Sequence, residues 1–216
     1  MLTLVQINTM LKLQNAMNEK VNPQWLDAGY AYLRAAMMES VEAIDHHGWK
    51  WWKAQHKDLP QLQMEMIDIW HFALSDYLIK HKGNLDAAAN DVAASLEGKN
   101  TLTFDGTDYD YKNSDLLANL QLMTGLCAAN RFSSDLFMQI ATQCELSGIT
   151  LYEQYVGKNV LNFFRQDNGY KDGSYIKVWN GKEDNEHLVE VLSSLDINAD
   201  NYSDLIYSGL AARYPK

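Results

Sequence analysis

Four carboxylates stand out by type and spacing: Glu39 and Glu42, then Glu65 and Asp68. Each pair is three residues apart, which on a helix puts both acids on one face, one turn apart. Residues 43–64 separate the pairs and include the turn-forming Asp58-Leu59-Pro60. Two helices joined this way can lie antiparallel with the acid pairs facing each other. Around the first pair stand Leu33, Ala36, Met37, Met38, Val41, Ala43 and Ile44; around the second, Leu62, Met64, Met66, Ile67, Ile69, Trp70 and Phe72. Helices that are apolar nearly all round are buried ones. Acids inside them repel each other and lose hydration unless a cation neutralises them. Solvated acids on an amphipathic helix would account for a single ExxE, but two pairs in apolar surroundings point to metal. Oxygen donors alone suit Mg²⁺. A di-iron bundle uses Glu-x-x-His on two of its helices, and no such motif occurs here.

The elements that must carry these acids are helical. Between Pro60 and Pro215 there is no proline, and the stretch is rich in Leu, Ala, Met and Gln, so helix is the default. The pattern predicts helices near 2–19, 27–46, 60–82, 84–97, 114–130, 134–166, 184–195 and 203–213, the long sixth one open to a break at Gly148 or Gly157. Pro60 suits a first helical turn, and Asn84, Ser114, Ser134 and Ser203 can accept from unpaired amides at helix starts. Gly83 suits a left-handed stop. Thr101–Lys112 alternates around Gly106 and predicts a small hairpin or loop inserted between helices. Asn168–Asp184 carries glycines, lysines and aromatic rings together, the composition of an ordered functional loop. The expected architecture is an all-α helical bundle, one domain over residues 1–216 with a small irregular insertion near 101–112.

Two further groups bear on a ligand. Between the acid pairs runs His46-His47-Gly48-Trp49-Lys50-Trp51-Trp52-Lys53. Three tryptophans in four positions cannot all face one core, so at least one is expected at an exposed or ligand-lined edge; a packing corner with snorkelling lysines is the plainer alternative. Lys158, Arg165, Lys171, Lys177 and Lys182 fall within 25 residues of a chain with only 18 Lys and Arg. Lys158, Asn162 and Arg165 share one helix face and lead toward Tyr170 and Lys171, an arrangement that suits a polyphosphate, although salt bridges to the plentiful acids would use the same residues. Gln14 and Asn18 share a face of the first helix, where amides can satisfy a base edge or sugar hydroxyl.

The 216 residues carry 47% apolar residues and a net charge of -10. That composition argues for a folded globular protein, and the charge argues against a nucleic-acid polymer or an anionic membrane as partner. Cys127 and Cys144 have no metal-type spacing and are expected as reduced core thiols. With no signal-peptide pattern and no long apolar run, a cytoplasmic protein is expected.

Taken together, these residues resemble the dimeric all-α dUTPase family, within the wider MazG-like all-α nucleoside triphosphate pyrophosphohydrolases. The resemblance runs from Leu13-Gln14, through Met38-Glu39-Ser40-Val41-Glu42, Trp49-Lys50-Trp51-Trp52-Lys53 and Glu65-Met66-Ile67-Asp68-Ile69-Trp70-His71-Phe72, to Lys158–Arg165 and Gly169–Lys177. It implies hydrolysis of dUTP, with dUDP also accepted, to dUMP by a homodimer. It implies two or three Mg²⁺ held by Glu39, Glu42, Glu65 and Asp68. Of the acids, Glu42, with Glu39 beside it, is the expected group to orient or deprotonate the attacking water. Lys158, Arg165, Tyr170, Lys171 and Lys177 would grip the phosphates. Gln14, Asn18, Trp49, Trp52, His71, Phe72 and Asn162 would line the deoxyuridine pocket. Two alternatives stay open: a pyrophosphohydrolase acting on dCTP and dUTP or on a broader set of nucleotides, and, outside the enzyme class, a helical interaction protein.

Overall fold

The structure, a computed structural model, describes residues 2–96, 98–197, 199 and 201–215. Nine α-helices run along the described residues: α1 Leu4–Val21, α2 Tyr32–His47, α3 Leu59–Lys80, α4 Leu85–Ala94, α5 Leu116–Ala128, α6 Ser134–Gln143, α7 Gly148–Asp167, α8 Asp184–Leu192 and α9 Tyr202–Ala211. Two small antiparallel hairpins interrupt them, β1 Thr101–Phe104 with β2 Thr107–Asp110, and β3 Val178–Trp179 with β4 Lys182–Glu183. The fold is all-α.

Local chemistry accounts for most helix ends. Thr3 and Gln6 form a capping box on α1, Asp58 accepts from the Gln61 amide with Pro60 in the first turn of α3, and Asn84 caps α4. After α3, Lys82 and Gly83 both take positive φ, and the Gly83 amide reaches back to the Leu78 carbonyl at 2.8 Å, closing the helix in the left-handed turn its glycine permits. The caps of α5 and α6 fall one residue from the expected ones, at Asp115 and Ser133.

One expectation is corrected and one left open is decided. Helix α2 begins at Tyr32 and not near 27, because Trp25–Asp27 form a short 3-10 turn and Gly29 takes φ +68°. The buried Trp25 ring packs edge-on to Tyr32 at 6.0 Å, anchoring that turn against the helix start. The stretch 134–166 is two helices: Glu145 takes φ +61° and Ser147 caps α7 by accepting from the Thr150 amide. Gly157, the other candidate break, stays within α7, and a Cβ there would stand 2.8 Å from Leu192 of α8. The glycine is a contact point between helices.

Helices α2 and α3 pack antiparallel, as three cross-contacts along them establish. The Asp58 amide bonds the His46 carbonyl at 2.9 Å at the closed end. Glu39 meets Glu65 in the middle. Tyr32 meets Phe72 at the open end, ring centroids 6.4 Å apart. Both hairpins turn on a pair of positive-φ residues, Asp105-Gly106 and Asn180-Gly181, the geometry of a two-residue turn between antiparallel strands.

The buried apolar side chains form two clusters that meet at α7. Leu151 and Tyr155 belong to the larger cluster, built on α1 and α3–α6 with parts of α2. Val156, Val160, Leu161 and Phe164 belong to the smaller one, with Trp179 and the inner faces of α8 and α9. Helix α7 is thereby gripped from both sides, and its face carrying Lys158, Asn162 and Arg165 is held in place.

Gly157→Val should test this grip. The added methyls have no space beside Leu192, and overpacking of this kind destabilises by about 1–3 kcal/mol. The expected result is a Tm lower by about 2–4 °C for each kcal/mol lost, measured by thermal denaturation; an unchanged Tm would mean that α7 and α8 are loosely packed.

Candidate functional site

The inner faces of α2, α3 and α7 enclose a polar cleft of about 490 Å³. Glu39, Glu42, Glu65 and Asp68 all line it, facing Lys158, Arg165, Tyr170 and Lys177. One carboxylate oxygen each from Glu39, Glu42 and Glu65 lies within 4.8 Å of the other two. Asp68 takes a different partner, the buried Lys158 ammonium at 2.9 Å. Burial, then the Asp68 charge and the hydrogen bond to Glu65, push the Glu39 carboxyl up to about 8. Burial and Asp68 push Glu65 up to about 7. Neither acid readily carries a full charge beside its neighbours. Three converging oxygen donors whose charges await neutralisation fit a hard divalent cation.

The cationic wall is built from α7 and the segment after it. Arg165 makes a two-pronged ion pair with Asp184, Nε to Oδ2 at 2.8 Å and Nη2 to Oδ1 at 2.9 Å. Asp184 has no solvent exposure and also accepts from the Tyr175 hydroxyl at 2.9 Å. Burial opposes the charge on both partners, but the hydrogen bonds outweigh it, raising the pKa of Arg165 and lowering that of Asp184. The guanidinium is thus fixed in place, with Tyr170 lying over it at 5.9 Å. Lys177 pairs with Glu183 at 3.0 Å. Lys171 stands apart, donating to the Val21 carbonyl at the end of α1 at 3.3 Å, and Lys182 pairs with Glu190 on the outer face of α8.

A second cleft, of about 360 Å³, adjoins the first. Gln14, Asn18, His71, Phe72 and Asn162 line it together with Tyr30, Tyr32 and Asp68. Asp68 belongs to both clefts, and Asn162 accepts from Arg165 Nη1 at 3.1 Å, so the two spaces meet along one seam. His71 is buried and faces an acceptor, the Ile67 carbonyl, at 2.9 Å from Nδ1. Burial holds its pKa down to about 4, so the ring is neutral with the proton on Nδ1. Among the described residues its Nε2 has no hydrogen-bond partner.

Trp49 and Trp52 are separated from these residues. They pack edge-on against each other at 5.3 Å beyond the C-terminal end of α2, while Tyr32 marks the second cleft at its N-terminal end. A 16-residue helix puts these ends roughly 24 Å apart. Among the described residues, neither tryptophan lines either cleft. Trp51 is 88% exposed, and Trp49 donates to Asp45 at 3.0 Å.

Several site residues escaped the sequence reading. His46, 3.4 Å from Glu65, lies at the end of α2 in the tryptophan- and lysine-rich segment, where no local pattern marks a histidine as a site residue. Asp184 and Asn185 follow strand β4 after the Asn180-Gly181 turn, a hairpin signal that folds them back toward α7. Tyr30 and Tyr32 fell in a segment expected to be helical from 27, where they would have been assigned to packing.

The raised acids set a pH dependence for the metal-free protein. A carboxyl whose folded pKa lies above its unfolded value of 4.5 contributes stability below that value and loses it as pH rises toward 8. In chelator, Tm should fall from pH 5 to pH 8, and Glu39→Gln should flatten that slope. An equal slope in the variant would remove Glu39 as its source.

No curated protein matches the chain. A protein-family model described as dUTPase matches residues 6–170. That span runs from the first turn of α1, through both acid-bearing helices, to the end of α7 and Tyr170, so the chain belongs to the all-α dUTPase family.

Proposed function

We propose that the protein hydrolyses dUTP to dUMP and pyrophosphate with Mg²⁺, accepting dUDP as well. The observation that carries this reading is the seam at Asp68, where a cleft of acids and cations joins a largely apolar cleft edged by amides and a neutral histidine. A nucleotide has the matching two ends, a polyanion that needs cations and a flat base that needs a few directed hydrogen bonds.

Glu39, Glu42, Glu65 and Asp68 would hold two or three Mg²⁺ ions, which when bound neutralise the phosphates and lower the pKa of a water. The chain's own groups do the remaining work. Glu42, exposed at the cleft edge, orients the attacking water and accepts its proton, with Glu39 beside it. Arg165, already fixed by Asp184, presents its charge to the leaving phosphates without reorganising. Lys158 is held between Asp68 and Asn185, within reach of both the acids and the phosphate path, and Lys177 and Tyr170 close the cationic side. Lys171 would have to leave the Val21 carbonyl to join them. In the second cleft, Phe72 and the two tyrosines offer ring faces to the base, and Gln14, Asn18, Asn162 and His71 its polar contacts. The cations serve every nucleotide alike, so selectivity falls to this second cleft.

Glu42→Gln should remain folded and lose at least roughly a hundredfold in kcat; near wild-type turnover in Mg²⁺ would overturn its role. Arg165 calls for a conservative test, because removing it strands the buried Asp184 charge, a loss of about 3–5 kcal/mol. Arg165→Lys should keep the fold and lower kcat/KM for dUTP, whereas Lys82→Ala, beyond the end of α3, should change neither. Equal losses from both would point to a diffuse field.

The whole reading is tested by kcat/KM for dUTP, dCTP, dTTP and UTP at one Mg²⁺ concentration. The expected order has dUTP well above dTTP and UTP, since a cleft closed on uracil and deoxyribose leaves no room for a 5-methyl or a 2′-hydroxyl. Comparable values for UTP and dUTP would overturn the dUTPase reading.

A further inference from the structure

Tyr214 follows α9 and lies against the segment that carries part of the cationic side of the first cleft. Its ring stacks on Tyr175 with centroids 5.4 Å apart and planes 12° from parallel. It meets Phe164 and Trp179 edge-on at 5.2 Å and 5.1 Å. Its hydroxyl oxygen accepts from the Ile176 amide at 3.0 Å. A backbone N–H can only donate, so the direction of this bond is settled. The Tyr214 amide bonds the Leu210 carbonyl at 3.0 Å, which ties the residue to the end of α9.

The clamp falls where the chain buries little of its own. From Lys171 to Val178 every residue but Tyr175 is exposed, so a few directed bonds place this stretch. Trp179 Nε1 donates to the Ile176 carbonyl at 2.6 Å, and the Asp184 amide to the Lys177 carbonyl at 3.0 Å. Both act after Ile176 and fix the hairpin. Tyr175 precedes them, and Tyr214 holds it twice, by the face of its ring and by the peptide that follows it.

From that position Tyr175 reaches the site in two ways. Its hydroxyl shares Asp184 Oδ2 with Arg165 Nε, and its ring stands edge-on to Tyr170 at 5.9 Å. Arg165 has both oxygens of Asp184 to hold it. Tyr170 is 52% exposed and lines the first cleft, and its ring rests between the Arg165 guanidinium and the Tyr175 ring. Its place over Arg165 therefore depends on where Tyr175 stands. We propose that Tyr214 is a positioning residue for the phosphate side of the first cleft, holding Tyr175 so that Tyr170 stays over Arg165. This rests on the first cleft taking the phosphates and on Tyr170 gripping them.

The test is the binding of α,β-imido-dUTP and of dUMP, both with Mg²⁺, to Tyr214→Phe, which deletes the acceptor for the Ile176 amide and keeps the stacked ring. The analogue should bind about threefold to tenfold more weakly, the range for one lost hydrogen bond. The affinity for dUMP, which lacks the β- and γ-phosphates, should stay as it is. Tyr214→Leu removes the stack as well and should weaken the analogue further; if that variant does not fold, Tyr214→Phe alone decides. In a Tyr170→Ala background Tyr214→Phe should cost nothing more, because the two residues act in series. An unchanged affinity for the analogue, equal weakening of both ligands, or full additivity with Tyr170→Ala would overturn the inference. A wild-type protein that binds the analogue no more tightly than dUMP, or a Tyr170→Ala variant that keeps the wild-type preference, would defeat the phosphate reading and this inference with it. A preference lost in Tyr170→Ala but kept in Tyr214→Phe would defeat only the role of Tyr214.

Discussion

The repulsion among the clustered carboxylates on α2 and α3 is the constraint around which this molecule is arranged. Three of them bring oxygens within 4.8 Å of one another, and burial, with the Asp68 charge beside it, lifts two of them out of the ordinary acid range. Such a cluster persists only if the surrounding packing over-determines it. The antiparallel α2–α3 pair does so through the His46–Asp58 closure at one end and the Tyr32–Phe72 contact at the other. Lys158 then offsets part of the charge from the third side at Asp68. A cation on that side requires α7 to be immobile, which explains why α7 is wedged between two apolar clusters and why a glycine sits where α8 crosses it.

The cationic side obeys the same logic with the signs reversed. A guanidinium largely removed from water needs a partner, and Asp184 supplies both of its oxygens. Breaking such a pair is far more damaging than the pair is stabilising, so Arg165 is held in one orientation whether or not a ligand is present. The Asn180-Gly181 hairpin serves this arrangement, because it returns the chain so that Asp184 meets Arg165 and Lys177 faces Glu183.

Charge and directed hydrogen bonds divide between the two clefts, with Asp68 at their seam. The first cleft is lined by acids and bases whose attraction falls off with distance and discriminates little by shape. In the second, neutral amides and a neutral histidine stand among aromatic rings, where an unpaired donor or acceptor is penalised heavily. Gln14 and Asn18 are buried although both are amides because each is bonded inside the packed chain, Gln14 to Tyr155 and Asn18, and Asn18 to Ser75.

Much of this was legible in the chain itself. The i, i+3 spacing of Glu39–Glu42 and Glu65–Asp68, the apolar residues around them and the turn at Asp58–Pro60 were enough to put the four acids on two facing helices, because helical periodicity is a local property of the backbone. The shared face of Lys158, Asn162 and Arg165 followed from the same periodicity, and the break at Ser147-Gly148 from the low helix propensity of glycine. Distances across the chain were decided by packing. Nothing local says that Trp49 and Trp52 lie a helix length from Gln14 and His71, because that separation comes from the direction in which α2 runs. The partner of Arg165 lies 19 residues away and that of Gln14 lies 141 residues away. The neutrality of His71 and the raised pKa of Glu39 likewise come from burial that forms only when α1, α3 and α7 close together. Sequence determined which residues could do the chemistry and which share a helix face; tertiary structure decided which of them meet, because contact and desolvation belong to the packed chain and to no segment of it.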